Sequence, residues 1–189
     1  MIGANFPAVL DLAKERDERA LEVLYRDLAP AVLGYLRVQG TAEPEDVASE
    51  VFISLVKGLP LFEGDERAFR SWVFTIAHHR LVDERRRMAR RPEEPAEPVE
   101  LPRLALIAGG SGNGSVEEEA IARLGEAGSL SLLEPLTDDQ RAVVLLRILI
   151  GLSVADVAAV LGKREGAIKT LQRRALARLA SSISPEPVS

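Results

Sequence analysis

Apolar residues recur at intervals of three and four along the first ninety positions. Leu21, Leu24, Tyr25 and Leu28, then Val32, Leu33, Tyr35 and Leu36, fall on one side of helices predicted over 7–27 and 30–38, because residues at that spacing share a helical face. The first stretch reads as one helix or two short ones, and Pro30 suits a new helix start. A further helix begins near Pro44, with Glu43, Glu45 and Asp46 around its first turn, where the helix dipole favours acids. It carries Val47, Val51 and Leu55 on one face, with Ala48, Phe52 and Val56 beside them, and stops at Gly58-Leu59-Pro60. A polar loop from Leu61 to Glu66 turns at Gly64. The next helix runs from about Arg67 to Arg87 or beyond, burying Phe69, Trp72, Val73, Ile76, Ala77 and Leu81.

The pattern is lost between 92 and 128. Proline, glycine, serine and glutamate without hydrophobic periodicity mark a linker, with a short helix allowed from Ser115 to Leu124. Fully extended it spans on the order of 120 Å. Periodicity returns over 129–183. Thr137 with Gln140 forms a capping box, and the helix it opens buries Val143, Val144 and Leu146 before Gly151 ends it. Ser153 with Asp156 is a second capping box, with Leu152 and Val157 as its hydrophobic staple. That helix stops at Gly162, and a longer one follows with Ile168, Leu171, Ala175, Leu176 and Leu179 inward. A short helix, a glycine turn and a helix with a basic outer face make a helix-turn-helix. The expected fold is therefore all-α: two small helical domains, 5–91 and 129–183, joined by a flexible acidic linker, with a disordered tail over 184–189.

Composition narrows the function. There is no cysteine, so no disulfide framework and no thiolate metal site, which fits a reducing interior. No apolar run reaches the roughly 18 residues a membrane helix needs, and the N-terminus lacks a secretory pattern. The formal net charge of −5 argues superficially against nucleic acid. Its distribution reverses that argument. Residues 61–91 carry eight Arg against five acids, and 131–189 carry eight Lys and Arg against six. The intervening 92–130 carry two Arg against eight Glu. A local basic face, not the chain total, governs binding to DNA.

Candidate chemistry is sparse. Asp46 and Glu50 stand four apart on one ridge, where like charges weaken an isolated helix; the ridge is either a solvated face or a docking surface for a basic partner helix. Trp72 is the only tryptophan, a core residue or a base-stacking one. His78 and His79 are the only histidines. Adjacent helical residues point about 100° apart, so they do not converge on a metal. Neither a hydrolase motif nor a cofactor fingerprint accompanies them.

Taken in order, EDVASEVFISLVKGLPLF, FRSWVFTIAHHRLVDERRR and LTDDQRAVVLLRILIGLSVADVAAVLGKREGAIKTLQRRALARL resemble the extracytoplasmic-function (group four) sigma factors of bacterial RNA polymerase, in the sigma-70 family. The resemblance implies a cytoplasmic, non-catalytic subunit that gives core polymerase its promoter specificity at stress- or signal-responsive promoters. It implies no metal, no cofactor and no small-molecule substrate. Asp46, Ser49, Glu50 and Ile53 would dock on the clamp helices of the largest catalytic subunit, and the second domain would meet the β flap. Phe62, Glu63, Gly64 and Asp65 would form the loop that captures a flipped base of the minus-ten element, with Trp72, His79, Arg80, Asp83, Arg86 and Arg87 along the melted strand. Lys163, Arg164, Gly166, Ala167, Lys169, Thr170, Arg173 and Arg174 would face the minus-thirty-five element. Lys169, Thr170 and Arg173 would reach base edges, and Lys163, Arg164 and Arg174 phosphates. The linker would thread through the polymerase toward the RNA exit path.

A sequestering anti-sigma factor, membrane-bound in some arrangements, is a further implied partner. Three positions depart from the family pattern. Ser49 stands for a frequent glutamine, Arg164 for a capping serine and Ala167 for a threonine. The competing reading is an autonomous helix-turn-helix regulator binding duplex DNA as a dimer, which leaves the acidic ridge and the loop without a task.

Overall fold

In a computed structural model of the chain, residues 2–90 and 133–183 are described, and their regular structure is entirely helical. The predicted linker and C-terminal tail lie outside the described residues. The N-terminal half comprises a short 3₁₀ turn at Gly3–Asn5 and α1, Phe6–Lys14. Then come α2, Glu18–Val38, and α3, Pro44–Gly58, extended by a 3₁₀ turn at Leu59–Leu61. The long helix α4, Glu66–Arg90, completes this half. The C-terminal half comprises α5, Asp138–Val144, a π-helical turn at Leu145–Leu149, α6, Val154–Leu161, and α7, Glu165–Ile183.

Pro30 lies inside α2 rather than at a helix start. It removes one backbone donor, yet Leu28, Ala29, Ala31 and Val32 around it are all buried. Packing of that apolar face holds the helix together across the proline. Asp17 begins α2 by accepting the Ala20 amide at 2.8 Å.

The predicted stripe of α4 is wider than its sequence pattern. Phe69, Val73, Ala77 and Leu81 are buried as expected, but Phe74 is fully buried too, with its ring edge-on to Tyr35 at 5.8 Å. Contacts to α2, α3 and α6 surround this helix on several sides, so one face does not describe it. Two expected inward residues are corrected. Tyr25 is 52% exposed and Leu176 44% exposed. Tyr25 lies against Phe52, ring centres 4.7 Å apart. Leu176 sits about 80° round α7 from Ile168, off the side that α5 and α6 cover.

Both capping boxes form. The Gln140 amide donates to Thr137 Oγ1 at 3.4 Å and the Thr137 amide to Gln140 Oε1 at 3.1 Å. The Asp156 amide donates to Ser153 Oγ at 3.1 Å and the Ser153 amide to Asp156 Oδ2 at 3.0 Å. Gly162 ends α6 in the left-handed region at φ +60°, and the next amide, Lys163, donates back to the Ala158 carbonyl at 2.9 Å. That is the Schellman closure, and it sets the turn between α6 and α7.

Candidate polymerase and promoter interface

The acidic ridge and the arginine-rich helix are neighbours. Packing of α3 on α4 brings Glu50 within 3.8 Å of Arg80 and 3.7 Å of Arg87. Arg80 also donates to Ser54 Oγ at 2.8 Å. Asp46 and Ile53 remain exposed, while the Ser49 hydroxyl is turned back on its own helix, donating to the Glu45 carbonyl at 2.9 Å. Glu45 pairs with Arg37 at 2.5 Å, and the hydrogen bond from that guanidinium holds its carboxyl below the usual range. Asp83 and Arg86 pair along α4 at 3.6 Å, and His79 is exposed beside them.

The loop is short and braced at both ends. Phe62 stacks on Trp72 with ring centres 5.0 Å apart and meets Phe69 edge-on at 5.2 Å. Asp65 Oδ1 accepts the Ala68 amide at 2.8 Å and so caps α4. Glu63, Gly64 and Asp65 are exposed. Trp72 is half-buried, and its ring occupies the space over Gly58, where a Cβ would come within 2.7 Å of it. Glycine at the end of α3 is thus what lets the tryptophan reach the loop. The indole belongs to the core and also supports the loop.

His78 and His79 do not share a task. The His78 ring meets the Tyr35 hydroxyl at 2.9 Å. Burial, then His79 and Arg85, push its pKa down to about 4, against the opposing pull of Asp139. Burial raises the Tyr35 hydroxyl further above its ordinary value.

On the helix-turn-helix, Arg164 just before α7 and Gly166, Ala167, Lys169, Arg173 and Arg174 on it are exposed. Thr170 is half-buried and bonds the Gly166 carbonyl at 2.9 Å. Lys163 pairs with Asp139 at 3.0 Å. Ile168 and Ala175 anchor the opposite side, fully buried.

Sequence reasoning missed the contacts that join the two halves. Arg67 reaches Asp156 Oδ2 through Nε at 3.1 Å and Nη2 at 2.9 Å. Burial works to raise the Asp156 carboxyl, but hydrogen bonds from Ser153 and Arg67 outweigh it and hold it below the usual range. Arg85 pairs with Asp138 at 2.8 Å and donates to the Gln39 carbonyl at 2.5 Å. Arg141 donates to the Val38 carbonyl at 3.0 Å. Two guanidinium groups, one from each half, thus meet the open carbonyl end of α2. The only sequence signal was arginine at both positions, which a solvated surface explains equally well.

Residues 24–91 match the family model for sigma-70 region 2 and residues 130–179 that for sigma-70 region 4. The two helical halves are therefore those of a sigma-70-type promoter-specificity subunit. The chain is 33% identical over 189 residues to the ECF RNA polymerase sigma factor SigD of Mycobacterium tuberculosis, covering 97% of this chain and 86% of the relative. It is 32% identical to the ECF RNA polymerase sigma factor ShbA of Streptomyces griseus, covering 91% and 92%. The chain belongs to the extracytoplasmic-function sigma factors of RNA polymerase.

The fold is shared with CnrH, solved in complex with the cytosolic domain of CnrY, at 21% identity, TM-score 0.62, and coverage of 96% and 99%. It is also shared with the sigma factor RpoE of Bartonella quintana, solved with the anti-sigma factor NepR, at 19% identity, TM-score 0.60, and coverage of 88% and 98%. An autonomous helix-turn-helix regulator is not favoured, because both halves match sigma regions. Among the described residues no helix is long and apolar enough to cross a membrane.

Proposed function

We propose that three sets of residues, the first two adjoining where Glu50 meets Arg80 and Arg87, divide the work of this sigma factor and that none of them is catalytic. Asp46, Ser49, Glu50 and Ile53 on α3 dock on the polymerase clamp helices. Phe62, Glu63, Gly64 and Asp65 take the minus-ten base, with Trp72, His79, Arg80, Asp83, Arg86 and Arg87 along the strand. Lys163, Arg164, Gly166, Ala167, Lys169, Thr170, Arg173 and Arg174 face the minus-thirty-five duplex. The observation that carries this reading is the basic side of α7, exposed along its length while Ile168 and Ala175 opposite it are fully buried. A recognition helix needs that division between anchor and reading edge.

Transcription with purified core polymerase on a promoter library tests it. Start sites that depend on the protein and share two upstream elements are expected. Arg173→Ala is expected to cost about 1–3 kcal/mol and relax selection within the minus-thirty-five element. Lys163→Ala is expected to weaken all promoters alike and lower the salt dependence. Arg173→Ala acting uniformly on every promoter would overturn its assignment as a base reader.

The same reading extends to regulation. Two proteins of this fold have been solved with a partner, CnrH with the cytosolic domain of CnrY and the sigma factor RpoE with the anti-sigma factor NepR. We propose that this chain, acting in the cytoplasm, is likewise held by a sequestering anti-sigma factor, tethered at the membrane where that factor is.

A further inference from the structure

The loop of Glu63, Gly64 and Asp65 is followed by Glu66, the first residue of α4. An acid there reads as ordinary dipole compensation. Its carboxylate instead leaves the helix. Glu66 Oε1 accepts the Ile2 amide at 2.8 Å, and Oε2 accepts the Gly3 amide at 2.9 Å. These contacts span more than sixty residues of sequence. Ile2 is right-handed, at φ −73° and ψ −30°, and Gly3 is left-handed at φ +67°. Consecutive residues of opposite hand turn their amides to one side and make an anion-binding nest. Here the anion is a side chain of the chain itself.

The nest draws the N-terminal segment over the loop. Between them lies a cleft of about 530 Å³, with Pro7, Asp11 and Lys14 of α1 on one wall and Glu63, Gly64 and Asp65 on the other. The segment from Ile2 to Lys14 precedes the residues that match sigma-70 region 2, which begin at 24. Phe62 is fixed at the other end of the loop by Phe69 and Trp72. The three exposed loop residues are therefore clamped at both ends before any nucleotide arrives. A loop ordered in advance loses less freedom on binding.

We propose that Glu66, held in the nest of Ile2 and Gly3, is a positioning residue for base selection: it fixes the Phe62–Asp65 loop and sets α1 as the second wall of the cleft beside it. The inference rests on the reading of that loop as the element that captures the minus-ten base. Glu66 does not touch the base. Its effect passes through the loop.

The test is transcription by core polymerase and the full-length chain on promoters carrying each of the four bases at every minus-ten position. Glu66→Ala is expected to reduce the preference for the best base, at the position the loop reads, by about tenfold, because the wrong base is penalised only while the loop's reading groups are held in place. Selection within the minus-thirty-five element is expected to stay unchanged, a split that a general loss of folding would not produce. Glu66→Gln, which still offers an oxygen to the nest, is expected to keep most of the preference. Gly3→Ala is expected to act in the same direction as Glu66→Ala, because nothing lies within 4 Å of the added methyl and only the left-handed backbone is strained. It keeps the test valid if Glu66→Ala fails to fold.

Glu63→Ala separates the two levels. If Glu63→Ala changes the preference and neither Glu66→Ala nor Gly3→Ala does, the positioning role is wrong and the loop reading stands. If none of the three changes it, the loop reading fails and this inference with it. A uniform loss on every promoter with Glu66→Ala would also overturn the positioning role, leaving Glu66 a structural brace.

Discussion

At the scale of single residues, the telling groups are polar ones whose partners lie far away in sequence. Asp27 and Arg70 pair at 3.1 Å, with only 11% and 12% of their side chains exposed. Neither position differs in the sequence from a solvated helical charge. His78 is the clearest case for measurement. Its folded pKa of about 4 lies below the ordinary 6.5, so the unfolded chain takes up the proton first. The neutral ring's contribution is complete above pH 6.5 and is lost as pH falls toward 4. With the ring partly open to solvent, the expected loss between pH 7 and pH 5 is about 1 kcal/mol. Urea unfolding at the two pH values checks it. His78→Gln is expected to flatten that part of the pH profile, and an equally steep profile in the variant would assign the effect to other groups.

At the scale of elements, the local signals were strong where the chemistry is local. A capping box needs two residues three apart, and a Schellman turn needs one glycine, so both were legible before any tertiary contact was known. Asp156 has two partners of different worth. Its contact with Ser153 closes the N-terminus of α6, while its pairing partner Arg67 keeps 63% of its side chain exposed. Ser153→Ala is expected to cost about 1 kcal/mol. Arg67→Ala is expected to cost less than about 0.5 kcal/mol, since an exposed pair gains little over water. Denaturant midpoints of the two variants check the order. A larger loss from Arg67→Ala would mean that the contact between the halves outweighs the cap. Continuity of α2 through Pro30 was not legible, because proline at a helix start and proline tolerated inside a packed helix leave the same local pattern.

At the scale of the whole molecule, the question is what holds the second half against the first. α6 lies along α4, and Gln39 is almost fully buried at the end of α2. Arg85 and Arg141 supply the polar part of this junction, both donating to carbonyls that helix α2 leaves open. Replacing both by alanine is expected to leave those buried carbonyls poorly satisfied, at about 2–3 kcal/mol for the pair. The radius of gyration from small-angle scattering is expected to rise as the halves part. An unchanged radius would show that apolar contact between α4 and α6 suffices. Within the second half, α7 packs on α5 and α6.

Apart from the run of α2 through Pro30, the one-dimensional pattern carried the helices, the capping boxes, the two basic blocks and the ordered motifs that mark a sigma factor. These depend on spacing within a turn or two, and such spacing survives in one dimension. The tertiary structure alone decided which charges meet. It placed Glu50 between Arg80 and Arg87, closed Arg85 and Arg141 on the end of α2, and brought the amides of Ile2 and Gly3 to Glu66. Helical periodicity sorts residues into inward and outward but does not say which outward residue finds another. That pairing depends on how helices cross, which is set by the packing of their apolar faces and not by the charged residues that finally touch.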